Sequence, residues 1–124
     1  MFKKNSNSKL ESLIGLNSGF RGDVDVKGTL RVDGTLEGNI TAEYVIIGEQ
    51  AFVKGNVTAN EITIGGKVEG NLTAKELLEI TAKAYACGDI VAGKLSMAEG
   101  GTLNGRIIMG ENKSNIVEFQ SKDN

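Results

Sequence analysis

The chain has no histidine, no proline and no tryptophan, a single cysteine, and only 5% aromatic residues. Each shortage excludes something. Without an imidazole there is no histidine base and no histidine metal ligand, which argues against the hexapeptide β-helix acyltransferases and their zinc-dependent relatives. Cys87 alone can form no internal disulfide and fits a reducing compartment. No apolar run approaches the roughly 20 residues of a membrane-spanning helix. Met1-Phe-Lys-Lys leads into polar residues, so no signal peptide is expected. A net charge of −2 gives no reason to expect nucleic acid as a partner. The chain also lacks a phosphate-binding glycine loop and the RTX calcium pattern. No catalytic residue, cofactor or metal is expected.

What the chain does have is glycine, 17 in 124 residues. Six of them open a recurring cassette: Gly22-Asp-Val-Asp-Val26, Gly38-Asn-Ile-Thr-Ala42, Gly55-Asn-Val-Thr-Ala59, Gly70-Asn-Leu-Thr-Ala74, Gly88-Asp-Ile-Val-Ala92 and Gly105-Arg-Ile-Ile-Met109. Successive cassettes start 16, 17, 15, 18 and 17 residues apart. A step this regular signals stacked repeats.

Two further apolar positions recur between cassettes. One is a pair two residues apart: Leu30/Val32, Val45/Ile47, Ile62/Ile64, Leu78/Ile80 and Leu95/Met97. The other is single: Leu36, Val53, Val68, Ala86 and Leu103. A spacing of two is the period of a half-buried strand. The expectation is an all-β, single-domain β-helix of about six rungs with three short strands each. Its core would be a thin aliphatic column, with alanine at 42, 59, 74 and 92 beside the bends. The β-helix is expected over 13–110, between flexible tails at 1–12 and 111–124. Ser8-Lys-Leu-Glu11 fits a helix capping box. Leu13, Ile14, Leu16 and Phe20 favour instead a degenerate extra strand over 12–20.

Gly28-Thr-Leu-Arg-Val-Asp-Gly34, Leu36-Glu-Gly38, Gly66-Lys-Val-Glu-Gly70-Asn-Leu-Thr-Ala74 and Gly101-Thr-Leu-Asn-Gly105 together resemble the bactofilins, bacterial cytoskeletal proteins. The similarity runs from about Leu13 to Met109. It implies a right-handed parallel β-helix that joins end to end, head to head and tail to tail, into non-polar filaments without nucleotide. It also implies a cytoplasmic scaffold at the inner face of the cell membrane, serving cell shape or localising other proteins. The implied partners are the chain itself, that membrane face, and cell-wall enzymes or their membrane adaptors. Met1, Phe2, Lys3 and Lys4 resemble the family's membrane-targeting start. Leu103 stands where the family often has phenylalanine at an end-to-end contact.

Physics points to the same two surfaces. An uncapped stack end exposes strand edges and its last apolar layer. Phe20, Val24, Val26 and Leu30 are expected at one end, and Leu103, Ile107, Ile108 and Met109 at the other, with Leu103→Arg sparing the fold while stopping assembly. The alternative is a monomeric β-helical binding module that uses a ladder of Asn39, Asn56 and Asn71 with Thr41, Thr58 and Thr73.

Overall fold

The computed structural model describes residues 10–109 and 116–120. Residues 10–109 form one continuous parallel coil with three faces and six layers. The first layer is β1 (Leu10–Ile14), β2 (Gly19–Arg21) and β3 (Val24–Asp25). The second is β4 (Thr29–Val32), β5 (Thr35–Glu37) and β6 (Ile40–Thr41). Then come β7 (Tyr44–Ile47), β8 (Phe52–Lys54), β9 (Val57–Ile64), β10 (Lys67–Glu69) and β11 (Leu72–Ile80). The coil ends with β12 (Tyr85–Cys87), β13 (Ile90–Met97) and β14 (Thr102–Met109). The long strands β9, β11, β13 and β14 each bend through a corner, so one strand serves two faces. A last strand, β15 (Ile116–Gln120), follows. Among the described residues there is no helix.

Register confirms the sequence columns residue by residue. Val24, Ile40, Val57, Leu72, Ile90 and Ile107 stack in one file. Leu36, Val53, Val68, Ala86 and Leu103 form the second, and Phe20 precedes Leu36 in it. The third holds the 30/32 to 95/97 pairs, preceded by Ser12 and Ile14. At about 4.8 Å per layer the stack is roughly 25 Å long. Most of the files' side chains form a single buried core. The alanine file is flanked by larger residues, with Val26 preceding it in the first layer and Met109 ending it.

The cassette glycines are explained by that stacking. Gly55 has φ +149°, and a Cβ there would overlap the carbonyl oxygen of Gly38 in the layer before. Gly38, Gly70, Gly88 and Gly105 meet the same obstacle. Gly22 does not, because no cassette precedes it. The residue after each glycine ties layers together. The backbone N–H of Asn56 donates to Asn39 Oδ1 at 3.1 Å, and that of Asn71 to Asn56 Oδ1 at 3.0 Å. The chain of bonds extends to Asp23 at one side and Asp89 at the other. Asparagine here satisfies backbone donors at a corner. Its carbonyl is therefore engaged within the stack.

One sequence expectation is corrected. Residues 12–20 hold the ends of two strands separated by a turn, with Asn17 at φ 68°, rather than one extra strand. Within 111–124, β15 pairs antiparallel with β14.

Candidate assembly surfaces at the two ends

The first layer has nothing outside it among the described residues. β1, β2 and β3 each pair only inward, with β4, β5 and β6. One edge of each strand therefore carries unpaired N–H and C=O groups. The file residues above that edge are Ile14, Phe20, Val24 and Val26. Phe20 is 42% exposed, and the other three are half-buried. Leu13 and Leu16, on the same layer, are 56% and 54% exposed. Among the described residues, three of the four large exposed apolar side chains thus lie within one layer. Phe20 also borders a shallow recess formed with Gly19, Arg21, Thr35 and Glu37. Arg21 and Glu37 pair at 3.2 Å beside it, both largely in water, where such a pair contributes little.

Leu30 does not belong to this surface. β1 lies over it, with Ser12 as its register partner, and only 1% of Leu30 is exposed. β1 carries no cassette glycine and overlaps the extra strand expected over 12–20 only at 12–14, so the repeat by itself puts Leu30 at the end of this face. Ile14 takes the place assigned to Leu30. The i, i+2 match of Ser12/Ile14 with Leu30/Val32 was the available signal.

The other end is finished differently. β14 is held on its inner edge by β12 and β13. On its outer edge β15 runs antiparallel, from Asn104↔Gln120 to Ile108↔Ile116. Leu103 is fully buried and Ile107 is 5% exposed, although both stand in the last layer. Ile108 points away from the core file, and Met109 is half-buried against it. An arginine at Leu103 would therefore insert a charge into packed core, so Leu103→Arg cannot spare the fold. On the third face, the Lys94–Met97 half of β13 has no outer partner among the described residues, with Leu95 and Met97 half-buried. Met1, Phe2, Lys3 and Lys4 lie outside the described residues.

The outer faces show ladders of mixed polarity. Arg21, Glu37, Lys54 and Glu69 stack in register with alternating charge, which avoids like charges directly opposite. Lys67 Nζ lies 5.4 Å from the Phe52 ring centre and 5.6 Å from that of Tyr85, between two aromatics. The Tyr44 hydroxyl is raised above its ordinary pKa, first by desolvation and then by Glu61, Glu76 and Glu43. None of these ladders gathers a nucleophile, a base and a recess. The features that stand apart from a plain stack are its ends.

A three-faced parallel coil of six layers, its first layer unpaired on the outer side among the described residues, defines a β-solenoid. The family profile described as "Bactofilin: Polymer-forming cytoskeletal" matches residues 12–108. The chain belongs to the bactofilin family. It is 35% identical over 83 residues to bactofilin BacP of Myxococcus xanthus (strain DK1622), covering 66% of this chain and 35% of BacP. It is 24% identical over 109 residues to bactofilin BacO of the same organism, covering 87% of this chain and 86% of BacO. The chain thus spans about a third of BacP and most of BacO. No solved structure matches.

Proposed function

We propose that this chain is a structural scaffold that assembles end to end, without nucleotide, into non-polar filaments lying against the inner face of the cell membrane. The observation that carries this reading is the first layer. It combines open strand edges on three faces with exposed Phe20, Leu13 and Leu16. A second copy meeting that layer would continue both the backbone ladder and the apolar files, as in β-augmentation. Association through this layer places two like ends together, and a filament built from like-to-like contacts has no direction. No nucleotide is needed, because burial of apolar surface and strand edges supplies the driving force.

Membrane contact rests on Phe2, Lys3 and Lys4. Each lysine gains about 1 kcal/mol near an anionic leaflet. A phenylalanine adds roughly 1.5–3 kcal/mol when fully buried. That is weak for one copy and sufficient for many joined in a thread. Through such threads the chain would position cell-wall enzymes or their membrane adaptors, or set local cell shape.

The test is Phe20→Arg in the full chain. The circular dichroism spectrum and Tm stay close to those of the unchanged protein, while threads seen by negative-stain electron microscopy without nucleotide are lost. Threads of undiminished number would remove the first layer from the contact. Separately, removal of residues 2–4 releases the protein from anionic liposomes and leaves threads intact. Continued co-sedimentation with the liposomes would refute the membrane role.

A further inference from the structure

Among the described residues, β15 is the one antiparallel strand. It occupies the outer edge of β14 over five register pairs, crossing the corner at Gly105. The inner edge of β14 is already committed to β12 and β13. The outer edge is therefore the one any following layer must use, whichever chain supplies it. With β15 in place, Leu103 and Ile107 are as buried as residues in mid-stack. At the opposite end, Phe20 in the same file as Leu103 is left exposed.

The geometry points to β15 as a self-docked cap: Ile116–Gln120 holds the β14 edge of the C-terminal end closed against a second copy of this chain, the Lys94–Met97 edge of β13 staying open, and assembly along β14 waits for its release. The inference rests on the end-to-end reading above. A covered edge is available only for the fraction of time that its cover is away, and its apparent affinity falls by that fraction. The first layer carries no such cost. The first product is therefore a pair joined through β1, β2 and β3. Longer threads follow only as β15 leaves. A five-residue strand held by one ladder belongs to the low end of local stability, so release needs no global unfolding.

A reversible lock tests this in the full chain. Arg106 and Glu118 are register partners on β14 and β15. Directly opposed antiparallel residues have Cα atoms about 4.5–5.5 Å apart, within disulfide range. The variant is Cys87→Ser, Arg106→Cys, Glu118→Cys, with the link shown to be intramolecular by non-reducing electrophoresis. Oxidised, it should stop at dimers in sedimentation velocity. Reduced, the same sample should form threads. A second full-length variant, Val117→Pro with Phe119→Pro, removes ladder donors from β15. It should form threads faster than the unchanged chain, on the order of tenfold. Equal threads from oxidised and reduced samples would overturn the cap and leave end-to-end assembly standing. Monomers alone from every sample, the proline variant included, would overturn both.

Discussion

In the file that runs from Phe20 through Leu36, Val53, Val68 and Ala86 to Leu103, the first residue is 42% exposed and the last is not exposed at all. Both residues stand in a terminal layer and both are large and apolar. The difference lies in what the chain does next to each. At the start, β1, β2 and β3 have no neighbour beyond them among the described residues. At the finish, the chain turns back and lays β15 along β14. A stack end is therefore not adhesive merely because it is an end. On the proposed reading, copies meet where no segment of the chain itself satisfies the last ladder.

The strongest way to break that comparison is to place the same charge at both ends. Leu103→Arg should destabilise the fold by on the order of 3–5 kcal/mol, because the charge enters packed core. Phe20→Arg should cost within about 1 kcal/mol and act on assembly instead. Urea denaturation of the two variants reads this directly, and equal midpoints would mean the two ends are alike.

Glycine sharpens the contrast between an interior layer and the open one. Gly55→Ala drives a methyl into the Gly38 carbonyl at φ +149° and should cost on the order of 2–4 kcal/mol. Gly22→Ala has φ +134° but nothing stacked before it, only the Phe20 ring at 3.7 Å. It should cost about 1–2 kcal/mol. Thermal melts of both variants test the order, and a reversal would contradict an open first layer.

A smaller effect is expected from the corner ladder. Asn56→Ala removes the acceptor for the Asn71 N–H and should cost about 1 kcal/mol with assembly unchanged. Loss of threads at constant Tm would place the assembly contact on that face instead.

The smallest effect is a mid-stack control. The pKa of Tyr44 is raised in the folded protein, so folding favours its neutral form. Its contribution is complete below the unfolded pKa of about 10 and is lost as pH climbs through the higher folded value. Tyr44→Phe should flatten the decline in Tm above pH 10 and leave both ends untouched. An unchanged alkaline decline would assign it to other groups.

Most of the coil was legible in the sequence, for a physical reason. Each buried position repeats a steric demand of the layer before it, so Ile40, Val57 and Leu72 announce one another. Gly38 and Gly55 are fixed in the same way by the carbonyl stacked before each. The ends were less legible because they lack a neighbour on one side. β1 has no cassette glycine, so the repeat by itself puts Leu30 rather than Ile14 at the end of its face. β15 runs against the repeat, and a single antiparallel return leaves no periodic trace. The role of Asn39 and Asn56 as acceptors for backbone donors one layer on emerges only once the layers are aligned.

Hydrogen–deuterium exchange on assembled against dilute protein asks the central question most directly: which ladder gains a neighbour. Residues 10–26 should become strongly protected on assembly, while β7 to β11 keep the protection they already have. Unchanged exchange across residues 10–26 in fully assembled protein would show that the open first layer is not where copies meet.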